Sequence, residues 1–182
     1  MALGHAIMTA LLDEDLSGYE LARSFDVSLG FFWKASHQQI YKTLRELEHA
    51  GHLYGTEVAQ AGKPDKVVYR LTASGRSELE NWVLGESRVR EARDDLLVKL
   101  YNLSPANVGH LAYELGKRKA LTQARLALYE RIRERHYDTP ESLPMRQRGI
   151  FLVLKAGIHQ SQQYLAWISE AEDLLERAAS DG

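Results

Sequence analysis

Residues 31–75 contain the pattern that most restricts the fold of this chain. Ser36 and Gln39 have the spacing of a helix capping box, in which each side chain binds the other residue's backbone amide. Gly51 is a suitable helix C-terminal residue, because glycine adopts the left-handed backbone conformation at little cost. Between these two ends, apolar side chains recur at the spacing of one helix face: Ile40, Leu44 and Leu47. The pattern predicts an amphipathic helix with well-defined ends.

Two strand-like segments follow this helix at once. Residues 53–60 and 66–72 alternate apolar and polar side chains, as half-buried strands do. The sequence AGKPD at 61–65 supplies turn residues between them, and Thr72 is placed to cap another helix. A helix followed by a short hairpin is the order of a winged helix-turn-helix, a fold that binds duplex DNA. We therefore expect a mainly α fold with a small β-hairpin.

The first 27 residues predict two more short helices. Residues 3–12 are apolar, and Ser17 with Glu20 forms a second capping-box pattern. The helix that begins there is expected to bury four side chains: Tyr19, Leu21, Ala22 and Phe25. Together with the hairpin these helices make a DNA-binding domain of residues 1–85.

Residues 86–182 predict a helical dimerisation domain formed by an antiparallel helix pair. After a charged hinge at 85–95, Ser104-Pro105 is a helix start. Five apolar residues then lie near heptad spacing: Leu111, Leu115, Leu121, Leu128 and Ile132. The last helix has two adjacent apolar stripes, the second of which includes Val153, Tyr164, Trp167 and Leu174. An apolar arc this wide needs more than one neighbour, so we expect a homodimer and attribute Tyr164 and Trp167 to its interface.

The charge distribution agrees with local DNA binding. The chain has 182 residues and a net charge of −2. Residues 28–76 contain seven basic and four acidic residues, whereas residues 1–27 contain one basic and five acidic residues. A local basic surface on a nearly neutral body suits specific binding with few phosphate contacts.

Several motifs resemble those of the PadR family of transcriptional regulators. They are Gly18-Tyr19-Glu20-Leu21, Gln39-x-Tyr41-x-x-Leu44, Glu48-x-x-Gly51 and Tyr69-x-Leu71-Thr72-x-x-Gly75. The segment from Gly30 to Gln39 and the turn Gly62-Lys63-Pro64-Asp65 are similar to the AphA-type branch of that family. The resemblance implies an N-terminal winged helix and a homodimer formed through C-terminal helices. It allows a small-molecule effector without indicating residues for one, and it does not decide between activation and repression.

The outward face of the third helix carries the residues that we predict to bind DNA. Opposite its apolar face lie Gln38, Tyr41, Lys42 and Arg45, whose side chains suit base edges and phosphates. Ser36, His37 and Gln39 lie at the helix N-terminus, where free amides attract phosphate, although capping alone explains Ser36 and Gln39. Lys63 and Lys66 flank the hairpin turn and suit phosphate contact. A solvated helix face and a solubilising turn are the alternatives.

Other function classes find little support in the sequence. The chain has no cysteine, no Walker or Rossmann fingerprint and no HExxH motif, so we expect neither an enzyme nor a metal or cofactor site. We read no signal or membrane anchor at the start and expect a cytoplasmic protein. The competing interpretation is a winged-helix protein–protein interaction module that does not bind DNA.

Overall fold

The described part of the chain divides into two units. A computed structural model describes residues 2–27, 35–59, 65–87 and 94–180, and the units are Met1–Val89 and Arg90–Gly182. Within the described residues there are seven α-helices and one antiparallel sheet of three strands. The predicted mainly α fold with a small β-hairpin is confirmed. No described helix combines the length and the apolar character needed to cross a membrane.

The first unit has the helix–hairpin order predicted from the sequence. Its elements are α1 (Ala2–Ala10), β1 (Leu16–Ser17), α2 (Gly18–Val27), α3 (His37–His49), β2 (Leu53–Val58), β3 (Lys66–Leu71) and α4 (Ala73–Leu84). The strands lie in the order β1-β3-β2, so β3 is central and β2 is an outer strand. The strand β1, which pairs Leu16 with Tyr69 and Ser17 with Val68, was not predicted. Two residues are too few to show a strand periodicity.

One apolar core joins these elements. Ile7 from α1, Leu21 from α2 and Ile40 and Leu44 from α3 are completely buried, and the hairpin adds Leu53, Tyr69 and Leu71 to the same cluster. Tyr19 was expected in this core, and that prediction was wrong, because its side chain is 65% exposed. Leu21, Ala22 and Phe25 form the buried face of α2, and Tyr19 lies to one side of it. The helix α3 thus has a rigid apolar support beneath it.

The helix ends of this unit follow the predicted local signals. At the start of α2, Ser17 N–H donates to Glu20 Oε2 at 2.8 Å and Glu20 N–H donates to Ser17 Oγ at 3.3 Å. Thr72 Oγ1 accepts from Gly75 N–H at 3.0 Å and caps α4. Gly51 has a φ of 74°, and no other described residue has a positive φ, as its predicted role requires. The capping boxes at Ser17 and Ser36 and the caps at Gly51 and Thr72 are confirmed.

The second unit consists of a short helix and two long ones. They are α5 (Asp95–Tyr101), α6 (Val108–His136) and α7 (Met145–Ser180), with a 3-10 turn at Pro140–Ser142 before the last. The prediction that α6 starts at Ser104-Pro105 was early by one turn: Asn107 Oδ1 accepts from Ser104 N–H at 2.8 Å, which closes a turn before the helix. Leu121 was expected on the buried stripe, but it is 73% exposed and Thr122 is buried instead.

The middle of the second stripe on α7 packs within the chain itself. Tyr164, Trp167 and Ala171 lie against a cluster that contains Leu96 of α5 and Leu111 of α6. Tyr164 and Trp167 were attributed to the dimer interface, but this part of the stripe has a neighbour in its own chain. The two outer residues of the stripe remain accessible, with Val153 39% and Leu174 58% exposed.

A polar network fixes the start of α5 to α6 and α7. Arg118 Nη1 donates to Asp94 Oδ2 at 2.6 Å and to the Tyr164 hydroxyl at 3.3 Å. The Asp94 carboxylate also accepts from Leu96 N–H at 2.9 Å, which makes it the N-cap of α5. The hydrogen bond from Arg118 holds the pKa of Asp94 below its usual value despite partial burial.

Candidate nucleic-acid interface

The start of α3 is closed by a complete capping box. Gln39 N–H donates to Ser36 Oγ at 3.2 Å, and Ser36 N–H donates to Gln39 Oε1 at 2.9 Å. Both side chains are therefore used within the protein, as the capping alternative predicted. Capping leaves them exposed at the tip of the helix, where they define the position of the first turn.

The two faces of α3 differ as the sequence predicted. Ile40 and Leu44 are fully buried and Leu47 is 6% exposed. Gln38, Lys42 and Arg45 are exposed on the other side, and His37 is exposed at the N-terminus. Lys42 lies 3.8 Å from Glu46 in a solvent-exposed pair one turn apart, a contact that typically contributes only a few tenths of a kcal/mol. Arg45 forms no ion pair with a described carboxylate, so its guanidinium is available to another partner.

Tyr41 packs against the start of α2. Its ring lies so close to Gly18 that a methyl group on that residue would overlap the ring. Gly18 is needed here because of space, since Gly51 and not Gly18 is the described glycine with a positive φ. Tyr41 and Lys66 both line a cleft of about 630 Å³ between α2, α3 and β3. The structure therefore brings two of the predicted DNA-binding residues to the same cleft.

Lys66 and Arg70 of β3 are paired with carboxylates. Lys66 Nζ lies 3.5 Å from Glu20 Oε1, and Arg70 Nη2 lies 2.7 Å from Asp15 Oδ2. Hydrogen bonds from the Ser17 hydroxyl and backbone hold the pKa of Glu20 below its usual value, so Glu20 is ionised next to Lys66. A phosphate would have to replace this partner, which reduces the gain expected from Lys66. Lys63 lies outside the described residues.

One polar contact between α3 and the hairpin was not predicted. Gly55 N–H in β2 donates to Glu48 Oε1 in the last turn of α3 at 3.0 Å. The Glu48-x-x-Gly51 motif marked the helix end in the sequence, but the spacing gave no sign of a partner seven residues away. The contact joins the two elements that a winged helix uses to bind DNA.

The arrangement as a whole is similar to that of known transcriptional regulators. The model described as "Transcriptional regulator PadR-like family" matches residues 7–81, and "Virulence activator alpha C-term" matches residues 92–176. The probable transcriptional regulator Rv1176c of Mycobacterium tuberculosis is 36% identical over 97% of this chain and 98% of its own length. This chain belongs to the PadR-like family of transcriptional regulators.

Solved structures of PadR-like regulators share its fold over nearly the whole chain. Bacillus subtilis PadR in complex with operator DNA has a TM-score of 0.79 and 28% identity, and the match covers 96% of this chain and 99% of that one. The Vibrio cholerae virulence activator AphA has a TM-score of 0.76 and 29% identity, with 96% and 98% covered. The predicted PadR family membership and the AphA-type resemblance are confirmed.

Proposed function

We propose that this PadR-family regulator binds duplex DNA sequence-specifically, as a homodimer on an inverted-repeat promoter site. The observation that carries the proposal is the polar face of α3. It lies opposite the fully buried Ile40 and Leu44, next to the hairpin, and it carries Arg45 without a described carboxylate partner. A solved relative, B. subtilis PadR, is bound to operator DNA, which supports the same partner for this chain.

In the proposed complex, the N-terminal half of α3 enters the major groove, about 12 Å wide, where base edges present distinct donor and acceptor patterns. Gln38 suits an adenine edge, and Lys42 and Arg45 suit guanine or phosphate. Tyr41 suits a phosphate or a thymine methyl. The proposed contacts of the helix start and of the hairpin are Ser36, His37, Gln39, Lys63 and Lys66. These serve to position the protein on the phosphate backbone.

The second unit supplies the proposed dimer contact. Val153 and Leu174 leave apolar surface at both ends of the second stripe of α7, and Leu121 of α6 adds more. A second copy of the chain would cover such surface symmetrically. Residues 1–85 are then the DNA-binding domain and residues 86–182 the dimerisation domain. A two-fold axis places the half-sites about one helical turn, roughly 34 Å, apart.

Binding to a promoter also implies where in the cell the protein acts. A regulator of transcription acts where the chromosome is, so the cytoplasmic location predicted from the sequence belongs to this proposal. Its relatives include a protein named as a negative regulator and one named as an activator, and the direction of regulation is therefore left to experiment.

The pairing of Lys66 with Glu20 and of Arg70 with Asp15 favours a second candidate. These pairs lower the positive charge of the hairpin, as expected for a winged helix that has become a protein–protein interaction module without DNA binding. In that case the exposed cations of α3 make no difference to the protein's activity.

The affinity for labelled promoter fragments over a series of salt concentrations tests the proposal. We expect the logarithm of the affinity to fall linearly with the logarithm of the salt concentration, and a promoter fragment to bind more tightly than its scrambled version. Arg45→Ala should weaken specific binding about tenfold and leave the dimer intact. Arg135→Ala, which removes the same charge from the exposed end of α6, is the matched control. Equal affinity for promoter and scrambled DNA at every salt concentration contradicts the proposal.

A further inference from the structure

The outer strand of the hairpin has backbone donors that β3 does not use. In the order β1-β3-β2, the strand β2 has a neighbour on one side within the described sheet. Gly55 is paired in register with Tyr69, and its N–H group faces away from β3 and donates to Glu48 Oε1 at 3.0 Å. Because alternate residues of an antiparallel strand point their N–H groups outwards, Glu48 fills an edge position that a further strand would otherwise occupy.

Glu48 of α3 and Val67 of β3 both lie very close to Gly55. A methyl group on Gly55 would lie 2.5 Å from Glu48 Oε1 and 2.9 Å from Val67 Cγ1. Gly55 does not have the positive φ that would call for glycine on backbone grounds, since Gly51 is the described residue that does. Space alone therefore explains this glycine, and the space is taken both by the Glu48 carboxylate of α3 and by Val67 of β3.

The backbone of Glu48 is fixed as firmly as its side chain. Gly51 N–H donates to the Glu48 carbonyl at 2.9 Å, and His52 N–H donates to the Leu47 carbonyl at 2.9 Å, which is the hydrogen-bond pattern of a Schellman motif. β2 begins at Leu53, directly after this turn. Without the Glu48 side chain, β2 would be held to α3 by this turn and by apolar packing, while β3 keeps its pairing with β1.

We propose that Glu48 is a positioning residue: its carboxylate fixes the hairpin relative to the recognition helix, so that both contact DNA in one register. The inference rests on the proposed DNA binding. A specific complex needs helix and hairpin in their places at once, whereas a non-specific complex on the phosphate backbone does not. Loss of the contact therefore lowers the ratio of specific to non-specific affinity. It has little effect on folding, because the bond lies on the surface.

Three single variants separate positioning from charge. Glu48→Ala removes the acceptor and the charge, and Glu48→Gln removes the charge but keeps an oxygen acceptor. Glu46→Ala is the matched control, because it removes a carboxylate from the same helix whose partner is Lys42 and not the hairpin. All three lose a negative charge near DNA, and Glu46→Ala also releases Lys42 from its exposed pair; both changes act on specific and non-specific binding alike and so leave the ratio of the two unchanged.

The first measurement needs no DNA: it is the hydrogen exchange rate of the Gly55 amide, followed by NMR on the full chain. We expect Glu48→Ala to raise this rate about tenfold, as the loss of one surface hydrogen bond of roughly 1.4 kcal/mol would. Glu46→Ala should leave the rate unchanged, and Glu48→Gln should lie near the wild type. An unchanged rate in Glu48→Ala overturns the anchoring contact whether or not the protein binds DNA.

The second measurement is the ratio of affinities for a selected site and for random duplex DNA. Glu48→Ala should lower this ratio about tenfold, Glu48→Gln should restore most of it, and Glu46→Ala should leave it as in the wild type. A faster Gly55 exchange with an unchanged ratio overturns the positioning role but leaves the proposed function standing. Wild-type protein with a ratio of one overturns the proposed function itself.

A double-mutant cycle completes the test from the other side of the contact. Gly55→Ala displaces the Glu48 carboxylate, so it should lower the affinity ratio in the wild-type background. In the Glu48→Ala background the same change should cost less, because the closer of the two colliding atoms, Glu48 Oε1, is gone and only Val67 Cγ1 at 2.9 Å remains. Fully additive effects of Gly55→Ala and Glu48→Ala contradict a shared positioning contact.

Discussion

In the first unit, here called the winged unit, short polar contacts fix the helix ends. In the second, C-terminal unit, apolar contacts join the long helices along their lengths. Ser36 and Gln39 close the start of α3, and Gly51 closes its end. At the start of α6, by contrast, Asn107 makes no side-chain hydrogen bond to the helix. The contacts between α6 and α7 are mainly apolar, with Lys119 and Glu172 adding an ion pair at 2.6 Å.

This difference suits the two units to different roles in a transcriptional regulator. Polar contacts are directional, so they fix the position of a small number of outward side chains on α3 and the hairpin. Apolar packing along a helix is less directional and leaves continuous surface for a second chain. The first unit is thus suited to present a defined pattern to DNA, and the second to supply interface area. Variants of each unit can test whether the two units have these different roles.

The largest effect should come from the apolar surface of the second unit. Val153→Asp/Leu174→Asp places charges on the accessible ends of the second stripe and should convert the proposed dimer to a monomer. Operator affinity should then fall by about a hundredfold, because two linked half-site contacts become one. Sedimentation velocity and DNA titration measure the two effects. Gln162→Asp/Gln163→Asp adds the same charge at exposed polar positions of α7, and a dimer lost there as well would mean that charge alone is responsible.

We expect Gly75 in the first unit to tolerate an added methyl group less well than Gly157 in the second. In Gly75→Ala the new methyl group overlaps the carbonyl of His52, a backbone group, whereas in Gly157→Ala it lies 2.7 Å from the ring of Tyr129. A side chain can adjust more easily than backbone, so we expect a loss of unfolding free energy of about 3 kcal/mol for Gly75→Ala and about 1–2 kcal/mol for Gly157→Ala. Chemical denaturation followed by circular dichroism measures both. A larger loss of unfolding free energy in Gly157→Ala than in Gly75→Ala would contradict the idea that the winged unit is the more rigid one.

Loss of a helix cap should cost less. Ser36→Ala removes the side chain that accepts from Gln39 N–H and should lower the unfolding free energy by about 1 kcal/mol. Ser36→Asp keeps an acceptor at this position and should recover most of the loss. Thermal unfolding of the two variants gives the comparison. Equal destabilisation by Ala and Asp would show that the cap is not the reason for the effect.

The smallest effect should be on the unfolding free energy at acid pH. Since the Arg118 hydrogen bond keeps the pKa of Asp94 below its usual value of 3.8, its contribution is complete above that pH and is lost as the pH falls through the lowered value. Asp94 is partly accessible, so the contribution is about 0.5 kcal/mol. Asp94→Asn should remove this part of the decrease in stability below about pH 4. A pH profile of unfolding free energy identical to that of the wild type would contradict the role of Asp94.

The winged unit could be predicted from sequence because its signals are local. Ser17 with Glu20, Ser36 with Gln39, and Gly51 act within three or four residues, so their spacing reveals them. The features that were not predicted, β1 and the contact between Glu48 and Gly55, depend on residues that are more distant in the sequence. β1 exists because Leu16 and Ser17 reach β3 more than fifty residues later, and Glu48 meets Gly55 only after the chain has turned.

The second unit shows the limit of apolar periodicity. The buried stripe of α6 includes Thr122 and Tyr129, whereas a choice by hydrophobicity favours Leu121. Tyr129 fits because the residue against its ring on α7 is a glycine: a methyl group on Gly157 would lie 2.7 Å from that ring. Burial there depends on the shape of the opposite helix, which the sequence of one helix does not contain. The predicted DNA-binding residues and the dimer stay predictions until DNA and a second chain are measured directly.

Sequence-specific DNA binding is best tested by selecting bound sequences from a random duplex pool, with purified protein at near-physiological salt. We predict enrichment of an inverted repeat whose half-sites lie about one helical turn apart, and loss of that enrichment in Arg45→Ala. An unenriched pool from a folded dimer would contradict it and would favour the interaction module.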